Sequence, residues 1–87
     1  MEEVDILFQD VAHPDQAGIA RKNAPFIRRG GTALIVVKAR SIDVTEKPAD
    51  IVREFSQEME SCGMPARRVI WLEPFHRDHA ILECPRD

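Results

Sequence analysis

Apolar segments alternate with amphipathic ones along the chain and predict the order strand, helix, strand, helix, strand, strand. The first segment, Val4 to Phe8, predicts a short strand that runs into a loop at Gln9 and Asp10. Thr32 to Lys38 contains the unbroken run Ala-Leu-Ile-Val-Val, which is typical of a strand covered on both faces. Two further strands are predicted at Arg67 to Leu72 and at Ala80 to Cys84.

Two amphipathic segments predict the helices. The first helix should begin at Pro14 and Asp15, and Pro25 should kink it or split off its last turn before Gly30-Gly31 ends it. After a polar loop, the second helix should begin at Pro48 and be capped by Gly63. Its apolar stripe consists of Ile51, Val52, Phe55, Met59 and Cys62.

The connections predict the topology. Right-handed crossovers through the helices make the first three strands parallel, whereas the short link from Glu73 to Asp78 allows only an antiparallel return beside the third strand. No glycine-rich phosphate or nucleotide loop follows any strand. We therefore expect residues 1–87 to form one α/β domain that amounts to half of a mostly parallel sheet with an antiparallel last strand.

Composition narrows the class of protein. Hydrophobic residues make up 44% of the 87 residues and charged residues 31%, which is ordinary for a globular chain with one small core. A net charge of −3 argues against gripping nucleic acid through bulk charge. No apolar run is long enough to span a membrane, and the acidic N-terminus lacks the features of a signal peptide. Cys62 and Cys84 have no Cys-x-x-Cys spacing, which favours free thiols in a reducing compartment over a disulfide or a metal site.

Three groups capable of proton chemistry stand at the ends of predicted strands: Asp10, Lys38 and His79. Active sites of α/β proteins lie at such ends, so we expect the Asp10 carboxylate and the Lys38 ammonium to be close, with His79 on the same face. A helix cap at Asp10, a snorkelling Lys38 and a plain edge His79 are the structural alternatives.

Two other kinds of site are less well supported by the sequence. A metal site would use His13, His76 and His79, but His76 and His79 lie in a loop with no cysteine nearby, so no metal is expected. A hydrolase triad of Ser41, His79 and Asp10 lacks the glycines that surround a nucleophile elbow.

Four segments closely resemble the fibrillarin family in its archaeal, fibrillarin-like form: residues 10–16 (Asp-Val-Ala-His-Pro-Asp-Gln), Gly30-Gly31, residues 38–43 (Lys-Ala-Arg-Ser-Ile-Asp) and residues 72–80 (Leu-Glu-Pro-Phe-x-x-Asp-His-Ala). The resemblance implies the C-terminal half of a Rossmann-like class I methyltransferase fold that uses S-adenosylmethionine. The glycine-rich cofactor loop, the acidic residue for the cofactor ribose and one further catalytic lysine would lie in the other half.

The resemblance also implies a function. It implies an RNA ribose 2′-O-methyltransferase of guide-RNA-directed (box C/D) modification, with S-adenosylmethionine as cofactor. Asp10, Lys38 and His79 would stand at three of the family's four Lys-Asp-Lys-His catalytic positions. The loop with Asp10, His13 and Gln16 would line the methionine end of the cofactor. The family usually has glutamine where this chain has His13, whose imidazole can also donate a hydrogen bond.

The implied partners are a box C/D guide RNA, its target rRNA or tRNA, a Nop-family scaffold protein and a kink-turn-binding protein, in the cytoplasm of an archaeon or the nucleolus of a eukaryote. The alternative hypothesis is a truncated, non-catalytic fibrillarin-like interaction domain, which the absent cofactor loop favours. In the family's sheet the strand Val4 to Phe8 is interior, whereas here it would be an edge, so we expect the isolated chain to self-associate or dock onto a partner there.

Overall fold

The computed structural model describes residues 3–72 and 76–86, with the backbone alone at residues 76 and 77. No helix in those ranges is long and apolar enough to cross a membrane. The helices are α1 (Gln16–Asn23), α2 (Ala39–Ile42) and α3 (Pro48–Ser61), and a 3-10 turn covers Ala24–Phe26. The strands are β1 (Val4–Asp10), β2 (Ile27–Lys38), β3 (Arg68–Leu72) and β4 (His76–Pro85).

The four strands form one sheet in the order β1-β2-β4-β3. β1 pairs with β2 in parallel, and β4 runs antiparallel to both β2 and β3. Three of these four strands thus run in one direction and β4 runs against them in a mixed sheet, which confirms the prediction of an α/β sheet with an antiparallel last strand. That β4 inserts between β2 and β3 was not predicted, because the sequence indicated only its pairing with β3.

The core lies between the sheet and the helices α1 and α3. Ile35, Val37 and Leu82 are fully buried at the centre of the sheet and pack against Phe55 and Met59 of α3. The stripe predicted for α3 faces this core, and Pro48 begins the helix as expected. The described helices cover one face of the sheet, so the expectation that β2 is covered on both faces holds for one face only.

The prediction that Gly30-Gly31 ends the first helix is wrong, because both glycines lie inside β2. Gly30 has φ of 84°, which favours glycine. A Cβ atom on Gly31 would lie 2.7 Å from the carbonyl oxygen of Asp5, where the register between β1 and β2 shifts. Gly31 therefore permits the close approach of β1 at this irregularity, whereas Gly30 permits the positive φ of the backbone beside it.

Pro25 splits the first helix as predicted, since α1 ends at Asn23 and the 3-10 turn follows. The short helix α2 lies in a segment predicted as a polar loop, and β4 is longer than the predicted Ala80 to Cys84. Residues 73–75 of the predicted link lie outside the described residues.

Both cysteines are free thiols. Cys84 lies in the core, where burial first and then the neighbouring Cys62 raise the pKa of its thiol to about 12. At neutral pH Cys84 is therefore protonated and behaves as a small apolar residue.

Asp15 caps the N-terminus of α1, since its Oδ1 accepts a hydrogen bond from the Gly18 backbone N–H at 3.1 Å. A Cβ atom on Gly18 would lie 2.1 Å from Oδ2 of the same carboxylate. Glycine at this position thus leaves room for the cap.

We expect Gly18→Ala to stabilise the protein only in a variant that already lacks the Asp15 cap. Alanine favours a helix by about 1 kcal/mol over glycine, but in the native chain its methyl displaces the Asp15 carboxylate, and losing a cap costs about 1 kcal/mol. Urea denaturation of both single variants and of Asp15→Ala/Gly18→Ala measures this coupling. An equal effect of Gly18→Ala in both backgrounds would show that the two residues are independent.

Candidate active site

Asp10 and Lys38 form an ion pair at the carboxyl ends of β1 and β2. The Lys38 Nζ lies 2.7 Å from Oδ1 of Asp10, with the side chains 25% and 46% exposed. Asp10 lies opposite Val36 in the parallel register, and Val36 is two residues before Lys38, so all three side chains point to one face. The predicted proximity of Asp10 and Lys38 is confirmed.

His79 lies directly opposite Lys38 in the antiparallel pairing of β2 and β4. Residues that face each other across such a pair have their side chains on the same face. His79 therefore shares its sheet face with Lys38 and Asp10, as predicted. The catalytic roles assigned to these three residues remain predictions.

Gln16 holds the backbone of Lys38. Its Nε2 donates to the Lys38 carbonyl oxygen at 3.1 Å, and its Oε1 accepts from the Lys38 N–H at 3.1 Å. β1 ends at Asp10 and does not extend far enough to pair with Lys38, so the Gln16 side chain makes these two hydrogen bonds in place of a strand. Gln16 is fully buried, so the structure gives it a positioning role, while the cofactor contact implied for it stays a prediction.

Gln9 supports this arrangement from β1. It is 5% exposed, and its Nε2 donates to the Gln16 carbonyl oxygen at 3.0 Å. Its Oε1 has no hydrogen-bond partner among the described residues. This supporting role of Gln9 was not predicted from the sequence, which indicated only that a loop begins there. Gln9 follows Leu7 by two residues in β1, so both side chains lie on the helix-covered face. This spacing is the feature of the sequence that could have indicated it.

His13 is exposed in the loop between β1 and α1. Its Nδ1 accepts a hydrogen bond from the Asp15 backbone N–H at 2.9 Å. A ring nitrogen that accepts cannot carry the proton, so Nε2 is the donor of this imidazole. The cofactor contact implied for His13 remains a prediction, and Nε2 is the atom that could make it.

Charged side chains border the three residues. Arg40, in α2, pairs with Asp78 through its Nε, 2.5 Å from Oδ2. The carboxylate of Asp78, the residue before His79 in β4, is thus paired with an arginine. Further along, Asp43 Oδ1 accepts from the hydroxyl and the N–H of Thr45, and these bonds lower the pKa of Asp43, the hydroxyl contributing most.

The geometry of the described residues supports neither the metal site nor the hydrolase triad. Among the described residues no group of three His, Cys, Asp or Glu side chains could hold a metal ion, and the side chain of His76 lies outside that set. Ser41 lies in the four-residue helix α2, next to Arg40, and not on a sharp strand-to-helix elbow.

The family model named Fibrillarin matches residues 1–86. A curated relative from Methanopyrus kandleri, named fibrillarin-like rRNA/tRNA 2′-O-methyltransferase, is 42% identical over 80 residues, which cover 91% of this chain and 34% of the relative.

Solved structures give the same result. The fibrillarin pre-rRNA processing protein of Methanococcus jannaschii matches with a TM-score of 0.92 and 40% identity over 98% of this chain and 37% of that one. A fibrillarin/Nop5p complex matches with a TM-score of 0.90 and 36% identity, over 100% of this chain and 42% of that one. Aeropyrum pernix fibrillarin with natively bound S-adenosyl-L-methionine matches with a TM-score of 0.77 and 42% identity, over 97% of this chain and 37% of that one. This chain therefore spans 34% to 42% of the length of these proteins.

We expect Gln16→Met to release the end of β2. Methionine has a similar length but no amide, so the Lys38 N–H and carbonyl lose their partner, and each unsatisfied group costs about 1–3 kcal/mol. Hydrogen exchange followed by NMR should show the Lys38 amide exchanging at least about tenfold faster. Gln57→Met, on the exposed side of α3, is the matched control. Unchanged protection of Lys38 in Gln16→Met would contradict the positioning role.

Proposed function

The chain belongs to the fibrillarin family, and from that premise we propose that it is the segment of an RNA ribose 2′-O-methyltransferase that carries Asp10, Lys38 and His79. Its fold is part of the Rossmann-like fold of methyltransferases that use S-adenosylmethionine. The proposed reaction is guide-RNA-directed methylation of rRNA and tRNA.

The Asp10–Lys38 ion pair, with His79 opposite Lys38, is the observation that carries this proposal. A lysine that only snorkels would extend into water. Here the ammonium is turned to a carboxylate at the end of a parallel strand pair, where substrates of α/β enzymes bind. Both side chains remain partly exposed, so an incoming hydroxyl could reach them.

The residues present fit one end of S-adenosylmethionine. The Asp10 carboxylate can accept from an ammonium, and His13 Nε2 can donate to a carboxylate, which are the two charged groups of an amino acid. The chain has only four glycines and no glycine-rich loop after a strand, so the nucleoside end of the cofactor has no evident place on these residues.

When bound, S-adenosylmethionine supplies a methyl group on a sulfonium, whose sulfur keeps both electrons of the breaking bond. The residues of this chain act on the hydroxyl that attacks. The Lys38 ammonium stabilises the negative charge that develops on the 2′-oxygen. Asp10 holds that ammonium through Oδ1 and takes the hydroxyl proton on Oδ2. Gln16 keeps the Lys38 backbone in place, since a misplaced group loses much of its effect.

The partners follow from the same premise. The solved fibrillarin/Nop5p complex supports a Nop-family scaffold as a partner. A box C/D guide RNA and a kink-turn-binding protein would select the target, which agrees with the net charge of −3. The proposed location is the cytoplasm of an archaeal-type cell, or the nucleolus in a eukaryote.

We expect Lys38→Ala to remove methyl transfer while it leaves cofactor binding largely intact. The assay combines this chain with the complementing segment, defined as the part of the Methanococcus jannaschii relative that the chain does not match, in a guide-RNA assembly with the scaffold proteins. Loss of the charge that stabilises the 2′-oxygen should lower the rate about 100- to 10,000-fold. Tritium transfer to RNA gives the rate, and calorimetry gives the cofactor affinity.

Lys47→Ala is the matched control, because Lys47 is exposed just before α3 and makes no side-chain cap. The proposal fails if Lys38→Ala transfers methyl groups as fast as this control. No transfer by the native assembly, with all components bound, would favour the non-catalytic interaction domain.

A second expectation concerns the chain alone. These 87 residues should bind S-adenosylmethionine too weakly for calorimetry at micromolar concentrations, because the walls for the nucleoside end are absent from them. Adding the complementing segment should restore binding. Micromolar affinity of the 87 residues alone would contradict this account of the site.

A further inference from the structure

Arg40 lies two residues after Lys38 and presents hydrogen-bond donors to solvent. Its Nε donates to Oδ2 of Asp78 at 2.5 Å, and 69% of its side chain is exposed. A guanidinium carries five N–H donors, of which four are on Nη1 and Nη2. The described residues give neither of these two nitrogens a hydrogen-bond partner. A cation with donors available to a ligand therefore stands beside the Asp10–Lys38 ion pair.

The contact with Asp78 fixes the orientation of this guanidinium. Asp78 belongs to β4, and its side chain is only 26% exposed. Arg40 belongs to the short helix α2, which begins directly after Lys38. A long side chain that is already held by one contact loses less conformational entropy when it binds a ligand. Asp78 thus prepares Nη1 and Nη2 of Arg40 for a partner that arrives from solvent.

Strand order separates Arg40 from the groups that fit the cofactor. β2 lies between β1 and β4, so Asp10 and Asp78 flank Lys38 from opposite sides. The loop with His13 follows β1 and is therefore on the Asp10 side. Arg40 contacts the other side, where β4 and β3 continue the sheet. A methyl donor held on the β1 side and an acceptor held on the β4 side would meet at Lys38.

The chemistry of the arginine fork indicates the class of ligand. Its parallel N–H groups match the oxygen atoms of a phosphate or a carboxylate, and the charge of arginine persists at every physiological pH. RNA carries a phosphate beside each ribose, whereas S-adenosylmethionine carries none. The carboxylate of the cofactor is the competing ligand, but the residues that fit its amino-acid end lie on the β1 side of Lys38. Phosphate is therefore the ligand that the position of Arg40 favours.

We propose that Arg40 binds a phosphate of the substrate RNA, next to the ribose that is methylated, through Nη1 and Nη2 while Asp78 holds its Nε. The inference rests on the proposed function, which supplies RNA as the substrate. Contacts to phosphate position a nucleic acid without reading its sequence. Such a contact agrees with selection of the target by a guide RNA, and it gives a chain of net charge −3 a local point of attachment.

Arg40→Ala tests this contact in the assembly of the chain with the complementing segment, a guide RNA and the scaffold proteins. Fluorescence anisotropy of a labelled target RNA gives its affinity over a series of salt concentrations. Loss of one charged phosphate contact should weaken binding about tenfold. It should also make the slope of log K against log salt shallower by about 0.7 to 1. Arg40→Lys keeps the charge and should keep the slope, while it loses the paired hydrogen bonds.

Arg53→Ala is the matched control. Arg53 is 67% exposed, and its Nη2 lies 3.1 Å from Oδ1 of Asp50 in the same helix, α3. Each alanine variant removes one ion-paired arginine and leaves one carboxylate unpaired, so both change the net charge equally. We expect Arg53→Ala to bind RNA as the native chain does. Arg40→Gln, which removes the charge but keeps a donor for Asp78, replaces Arg40→Ala should that variant fail to fold.

Two results would overturn the inference. The first is an equal RNA affinity and an equal salt slope for Arg40→Ala and Arg53→Ala, even where the assembly transfers methyl groups. The second is a loss of S-adenosylmethionine affinity in Arg40→Ala, measured by calorimetry, with RNA binding unchanged, because a carboxylate would then be the ligand. An assembly that binds RNA through Arg40 but transfers no methyl group upholds the inference and rejects only the proposed function.

Discussion

The placement of Lys38 depends on two hydrogen bonds from the side chain of Gln16. β1 ends at Asp10, opposite Val36 and two residues short of Lys38, so the backbone of Lys38 would otherwise lack a partner on that side. A glutamine amide carries both a donor and an acceptor and can replace a strand there. Gln9 fixes the Gln16 backbone, and Asp15 caps the helix on which Gln16 lies. The site thus depends on the start of α1 as much as on the sheet.

Strand direction explains why three chemical groups meet at one place. The parallel strands β1 and β2 bring their carboxyl ends, with Asp10 and Lys38, to one end of the sheet. β4 runs the opposite way, so its amino-terminal part reaches the same end and brings His79 opposite Lys38. Insertion of β4 between β2 and β3 is therefore what makes His79 a neighbour of the ion pair.

Local patterns predicted the elements and the meeting of Asp10, Lys38 and His79, but not the features that depend on distant residues. Pro25 and the stripe of α3 act within a few residues, which a sequence shows directly. Gly31 looked like a helix stop, whereas its reason is the carbonyl of Asp5 on another strand. The hydrogen bonds of Gln16 to Lys38 were not predicted, because that partner lies 22 residues further along the chain.

The exposed apolar side chains of β1 and the ion pair belong to one surface, since Phe8, Val36, Asp10 and Lys38 lie on the same side of the sheet. In water, a half-exposed pair such as Asp10 and Lys38 contributes about 0–1 kcal/mol, because solvent screens both charges. Any polypeptide or ligand that covered this surface would border the pair and remove part of that water. The same two charges would then act more strongly on a bound hydroxyl, because the interaction energy rises as the effective dielectric constant falls. Covering the apolar surface would therefore also strengthen the electrostatic effect of the ion pair on a bound group.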